Sequence, residues 1–306
     1  MKKFITKLLK FTSVAIIAYV VLVCAWGSFV PKKLNLNLLY KVGSADYMFT
    51  RIKEIKSTKN LDILFLGSSH AYRGFDPRIF KNAGYNTFTL ASSSQTPIQT
   101  QILLERYLHE LSPKTVIYEI YPSTFCSDGV ESALNIISND KNDRKSLRMA
   151  LEVNNIKVYN TLIYGYFSDL IKKNKYFKEK LKRPNEGYVS GGYVERSPTS
   201  NPKYDDKITR EWILNPQQVE AFEKSLKLLE SKNIKVILVY APITKVRYNS
   251  YSNNDEFNKI MEKYGKVYNF NDILHLDDTN DFNDYDHLNQ SGVEKFNNSF
   301  LKQIPL

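Results

Sequence analysis

The sequence predicts an α/β fold: a parallel sheet between two helical layers, a three-layer sandwich, preceded by one N-terminal transmembrane helix. Three observations carry this. Short, nearly continuous apolar runs alternate with amphipathic stretches from residue 63 onward, the pattern of strands buried on both faces and their crossover helices. Residues 11–30 carry no charge, and their twenty positions match the ~20 needed for a helix to cross a bilayer. An apolar content of 42% over 306 residues is enough to build a sizeable core, so the chain is not a disordered one.

At the N-terminus, Lys2, Lys3, Lys7 and Lys10 precede the apolar run Phe11 to Val30, and Trp26 stands near its far end. Basic residues before the span predict a cytoplasmic N-terminus and an extracytoplasmic body, although Lys32 and Lys33 beyond the span weaken the asymmetry. A signal-peptidase site at Ala25-Trp26-Gly27 is one alternative. A lipobox at Leu22-Val23-Cys24 is another, with a valine that is bulky for the position before the cysteine. The expected organisation is a tip, single-pass anchor in the cytoplasmic membrane and linker over 1–35, then one domain over 36–306.

Next, Ser44 to Lys56 reads as a helix with Ser44 as N-cap. Strands are expected at Ile63–Leu66, Thr87–Ala91, Val116–Tyr121, Ile234–Tyr240 and Val267–Phe270, with helices at Pro97–Leu111 and Pro216–Ser231. Residues 123–215 are too long for a simple crossover and predict an insertion with structure of its own. Within it, Ile156 to Leu181 reads as one helix, rich in aromatics and turning basic from Lys172 to Lys182. Residues 187–194, with an echo of Gly-Tyr-Val, read as a loop. The aromatics either pack the insertion while the lysines face water, or line a lid or docking surface beside the site for sugar or membrane contact.

The net charge of +11 does not point to nucleic acid. Four of the lysines belong to the N-terminal tip, the rest are interspersed with acidic residues, and no basic-aromatic signature occurs. Cys24 lies in the apolar span and Cys126 in the body, so no intradomain disulfide is expected. No nucleotide loop is present. The acidic run from Asp277 to Asp286 lacks the glycine and terminal glutamate of a calcium loop, and no cysteine or histidine spacing suggests zinc; no metal and no cofactor are expected.

The chemistry concentrates in two places. Gly67-Ser68-Ser69-His70 closes the strand Ile63–Leu66, a small-residue turn that can hold the Ser69 hydroxyl open at the sheet's edge. Asp284-Tyr285-Asp286-His287 lies near the other end of the chain. A carboxylate three residues before a histidine can fix its tautomer and stabilise the imidazolium formed when a serine proton is taken. Asp284 is the expected orienting group, Asp286 its rival. His70 would diverge from Ser69 and is read as supporting the site or facing substrate. His109 and His275 have no motif around them.

These two blocks and the alternation between them resemble the SGNH/GDSL hydrolase family. The resemblance implies Ser69 as nucleophile, His287 as general base and then acid, and Asp284 as its orienting acid. The family's second block falls at Thr89 to Gln95, where Ala91 stands at the position of the usual glycine and would offer a backbone N–H to an oxyanion. Its third block falls at Tyr121-Pro122-Ser123. There the usual asparagine is missing, and Ser123 is the candidate substitute.

The anchor, the Gly-Ser-Ser turn and the final Asp-x-x-His-Leu-Asn are similar to the membrane-anchored branch that works beside membrane-bound O-acyltransferases. That similarity implies O-acyl transfer, with acetyl as the group, to an extracellular polysaccharide or cell-wall polymer, with such an acyltransferase as partner. An esterase of the same fold, and a catalytically silent anchored protein that binds a glycan or a partner, are the alternatives.

Overall fold

A computed structural model of the chain describes residues 1–44, 46–198 and 208–306. Helix α1 (Lys2–Phe29) contains the charge-free run as far as Phe29, with Val30 as its C-cap, and it is the one described helix long and apolar enough to cross a membrane. Helix α2 (Met48–Ile55) follows. It is shorter than the expected Ser44–Lys56, of which Ala45 lies outside the described residues. Tyr47 takes a left-handed φ of 56°, which a continuing helix cannot accommodate, and the Asp46 carboxylate rather than Ser44 accepts the Met48 N–H.

The body then alternates: β1 (Ile63–Gly67), α3 (Ser69–Gly74), α4 (Pro77–Asn82), β2 (Thr87–Ala91), α5 (Pro97–Leu111) and β3 (Thr115–Glu119). After the insertion come α10 (Pro216–Glu230), β7 (Lys235–Tyr240), α11 (Lys245–Asn249), α12 (Asn254–Glu262), β8 (Val267–Asn269), α13 (Phe270–Ile273) and α14 (Gln290–Gln303). The five strands pair in parallel in the order β2-β1-β3-β7-β8.

Alternation along each strand makes the three layers. Leu64, Leu66, Val116 and Tyr118 face α5 and α10 on one side, while Ile63, Phe65 and Ile117 meet Phe75, Phe80, Phe296 and Phe300 on the other. Successive crossovers run to opposite sides of β1, so the chain reverses direction across the sheet between β1 and β3. That is where open sheets form a crevice at their C-terminal edge.

Between β3 and α10 the chain builds α6 (Pro122–Cys126), α7 (Val130–Asn139), α8 (Arg144–Val153) and α9 (Ile156–Leu170). A small antiparallel sheet follows, of β4 (Lys182–Arg183), β5 (Glu186–Val189) and β6 (Tyr193–Arg196). Residues 199–207 of the expected insertion lie outside the described residues.

Two expectations are corrected here. The long helix ends at Leu170 because the chain reverses through Lys172, at φ 52°, and returns Phe177 to an edge contact 4.9 Å from Phe49. Residues 187–194 are a hairpin instead of a loop. The Gly-Tyr-Val echo is its two strands, paired Tyr188 to Val194 and Val189 to Tyr193, with Tyr193 and Val194 buried in the core. Gly192 lies at φ 82°, where an added Cβ would come within 2.4 Å of the Thr89 carbonyl oxygen, so only glycine lets the hairpin cover the edge of β2. The buried Arg51 guanidinium fastens this junction by donating to the Ala91 and Gly192 carbonyls at 2.7 and 3.0 Å.

Candidate active site

The turn after β1 is set by Gly67. Its φ of 142° is open to glycine, and a Cβ there would lie 2.9 Å from the Glu119 Cβ on the neighbouring strand. The chain can therefore bend sharply at the strand tip and start α3 at Ser69, leaving the hydroxyl half-buried at the C-terminal edge of the sheet. The Ser69 N–H, first in that helix, has no acceptor within it.

The second half of the site is a turn between α13 and α14. Asn283 N–H donates to the His287 carbonyl at 2.8 Å, and Asn289 caps α14 by accepting from Gly292 N–H at 3.1 Å. Inside the turn the Asp284 Oδ1 accepts from the His287 backbone N–H at 2.9 Å and bonds the His287 Nδ1 at 2.7 Å. The three-residue spacing thus serves backbone and ring together. On the other side of the ring, Nε2 is 2.8 Å from the Ser69 Oγ, a contact between residues 218 positions apart.

Asp286, the rival for the orienting place, shares the ring with Asp284. Its Oδ1 lies 3.0 Å from the same Nδ1, while its Oδ2 accepts from the Tyr121 hydroxyl at 3.2 Å. Short spacing in a tight turn brings both carboxylates to one nitrogen. Burial alone would push the imidazole down, but the two carboxylates outweigh it and bring His287 up to about 9. Asp286 is held well below the usual carboxylate range: burial opposes this, and the His287 hydrogen bond and charge overcome it. At neutral pH the relay therefore rests as an imidazolium with both carboxylates on its Nδ1 side, and it must lose a proton before it can take one from Ser69.

His70 is corrected in part. It does not face a substrate: its ring is buried, 4.0 Å from the Tyr121 ring and stacked 5.1 Å from that of His287. Burial, and then the neighbouring His287 charge, push it down to about 4, so it stays neutral and can lie against an imidazolium without repelling it. Ala91 closes β2 opposite Gly67 and is fully buried, with its carbonyl engaged by Arg51. An N–H in that position is closed to a substrate oxygen, which corrects the expected oxyanion role. Ser123 is half-buried in the first turn of α6, after β3, at the same edge of the sheet as Ser69.

Three further groups were missed. Arg196 of β6 donates to Asp284 Oδ2 at 3.1 Å, so the insertion reaches the relay. Nothing in its local sequence marks it. Tyr121 holds Asp286 and covers His70. Glu119 ends the central strand, fully buried, with Gly67 packed against its side chain. Burial pushes its carboxyl up to about 8, opposed by the N–H groups of Tyr121, Ala241 and Ser68 at three strand tips. An acid inside the apolar run Thr115 to Ile120 was a legible signal, since unpaired buried carboxyls are rare without a reason.

The acidic run is otherwise used structurally. Asp281 takes Lys295 at 2.7 Å and Asp278 caps the start of α11. Ligand atoms of His70, Asp286 and His287 lie within 4.8 Å of one another, a set a cation could use. Both ring nitrogens of His287 are already bonded to Asp284 and Ser69, so a cation bound through His287 would break the relay.

No family model matches the chain, and no curated protein does. Among solved structures it is similar to a provisionally assigned acylhydrolase from Bacteroides fragilis, at 10% identity and a TM-score of 0.37, over 90% of this chain and 94% of that one. It is also similar to a GDSL-like lipase from Bacteroides thetaiotaomicron, at 13% identity and a TM-score of 0.34, over 82% and 91% of the two chains. At these scores the likeness gives no residue a role.

Proposed function

We propose that this chain is a membrane-anchored serine acyl-transfer enzyme in which Ser69 is the nucleophile, His287 the base and Asp284 its orienting acid. The observation that carries the proposal is the continuous relay from the Ser69 Oγ to His287 Nε2 at 2.8 Å and from His287 Nδ1 to Asp284 at 2.7 Å. With His287 neutral, Ser69 attacks the ester carbonyl carbon and its proton passes to Nε2. The oxyanion is met by the Ser69 N–H and by Ser123, through its hydroxyl or its N–H in the first turn of α6. Collapse expels the leaving alkoxide, which takes the proton from His287 and leaves an acyl-serine. An acceptor hydroxyl then gives its proton to His287, attacks the acyl carbon and releases Ser69.

The acceptor on this proposal is a hydroxyl of an extracellular glycan, the acyl group is acetyl, and the donor is supplied by a membrane-bound O-acyltransferase. Support comes from the resemblance of the Gly-Ser-Ser and Asp-x-x-His-Leu-Asn blocks to the acyltransferase-associated branch, together with an apolar helix of spanning length. Water in place of the glycan would make the same site an esterase. The site is tested by reacting the full-length protein, in detergent micelles, with a fluorophosphonate. Ser69 is expected to be labelled and Ser69→Ala to be silent. An unlabelled native protein would return the chain to the class of silent binding proteins.

A further inference from the structure

The linker after α1 does not leave the body hanging. Leu38 packs with Val23 of α1 and Tyr164 of α9, and the Leu39 N–H donates to Thr161 Oγ1 at 3.0 Å. Helix α9 itself lies along α1. Its Tyr164 ring sits so close to Gly27 that a Cβ there would come within 2.5 Å of it, and its Asn160 Oδ1 accepts from the Tyr19 hydroxyl at 2.5 Å.

Tyr19 is eleven residues short of the end of the charge-free run, which at 1.5 Å per residue is ~16 Å, about half of a ~30 Å hydrocarbon core. A hydroxyl at that depth needs a partner, since lipid offers none, and the partner comes from the body. The remaining sides of the same half of α1 leave Leu22, Trp26 and Phe29 exposed. Beside them α9 exposes Ile156 (55%) and, at its C-terminal end, Leu170 (80%), with Ile171 following at 50%. The basic run begins at the next residue, and its Lys173 Nζ reaches back to the Tyr164 hydroxyl at 2.5 Å, near the level of Gly27.

We infer that the domain is seated in the membrane leaflet on its own side: α9 shares the bilayer with the adjoining half of α1, and the lysines after Leu170 rest on anionic lipid headgroups. The inference rests on α1 crossing the bilayer. Apolar cover is needed at the exposed Leu22, Trp26 and Phe29 of α1 and at Ile156 and Leu170 at the two ends of α9, and the adjacent lysines match the negative charge of a lipid surface.

The test uses the full chain with Cys24 and Cys126 replaced by alanine, reconstituted in phosphatidylglycerol vesicles that carry nitroxide-labelled acyl chains. An environment-sensitive fluorophore is placed by Leu22→Cys, Leu170→Cys, Ile156→Cys or Lys232→Cys. The probes at 22, 170 and 156 are expected to lose about half their emission to the nitroxide, and the probe at the exposed Lys232 none. Replacing Lys172, Lys173 and Lys175 by glutamine is expected to reduce quenching at 170 in these vesicles and to leave it unchanged in phosphatidylcholine. Quenching at 22 without quenching at 170 and 156 would leave the span standing and overturn the seating. A surface covered by a partner protein instead of lipid would give that same result. No quenching at 22 would overturn the span and the seating with it.

Discussion

On the proposed mechanism, Asp286→Asn should speed ester cleavage at neutral pH. The native base is held at about 9 by two carboxylates against the cost of burial, so at pH 7 only about 1% of His287 is neutral. Asp286 places a charge 3.0 Å from Nδ1. At an effective dielectric of ~20 such a charge is worth about 5.5 kcal/mol, while carboxylate neighbours in proteins move a pKa by about 1–3 units. A fall of about 1.5 units is therefore expected, which brings the neutral fraction at pH 7 to roughly a quarter and raises kcat/KM by about tenfold or more. Asparagine can still accept from Tyr121, so the turn is expected to survive.

The assay is hydrolysis of p-nitrophenyl acetate by the full-length protein in micelles from pH 5 to 10. Native kcat/KM should climb tenfold per pH unit up to about 9 and then level off. In Asp286→Asn the midpoint should move down with the plateau kept. Asp284→Asn should instead lower the plateau by about 10³–10⁴, because the ring loses its orienting bond and not only a charge. A native midpoint near the ordinary 6.5, unmoved in Asp286→Asn, would show that the Asp286 charge does not hold the His287 base up.

The stability consequence of His287 has the opposite sense. Its folded pKa is raised, so its contribution is fully present below 6.5 and lost as pH rises to about 9, making the relay most stable where it is least active. Glu119, raised from 4.5 to about 8, costs nothing below about 4.5 and costs stability progressively as pH rises from there to about 8. Glu119→Gln should match the native protein near pH 4.5 and exceed it by about 3 kcal/mol at pH 7, read from denaturation curves at each pH; parallel curves would show that the burial of this carboxyl carries no such cost. Gly67→Ala should lower stability by about 1–3 kcal/mol and depress activity with it, since the new methyl meets Glu119 and strains the turn; an unchanged Tm would contradict the role given to that glycine.

The sheet was legible because its strands are apolar on both faces. Thr87–Ala91 and Pro97–Leu111 have the expected limits, and the other strands differ from expectation only at their ends. The region from Ile156 onward was harder to read. Its aromatic content suits a helix and a hairpin equally well, and what ends α9 is a tertiary contact, Phe177 on Phe49, that no local pattern records. In the site, Ser69, Asp284 and His287 were legible because each sits in a short block whose spacing has a mechanical reason. Arg196 was not, for its partner lies 88 positions away. Ala91 misled because it occupies the right place along the chain, whereas a fully buried peptide cannot meet a substrate.

On the proposed mechanism Ser69 takes up an acyl group under the control of His287. That uptake is tested most directly by mixing the full-length protein with p-nitrophenyl acetate, quenching in acid before turnover is complete, and mapping the adduct by peptide mass spectrometry. One acetyl group is expected on the peptide containing Ser69, formed faster at pH 9 than at pH 6 and absent from Ser69→Ala. An acetyl group on another residue, or none while the ester is still consumed, would contradict the mechanism.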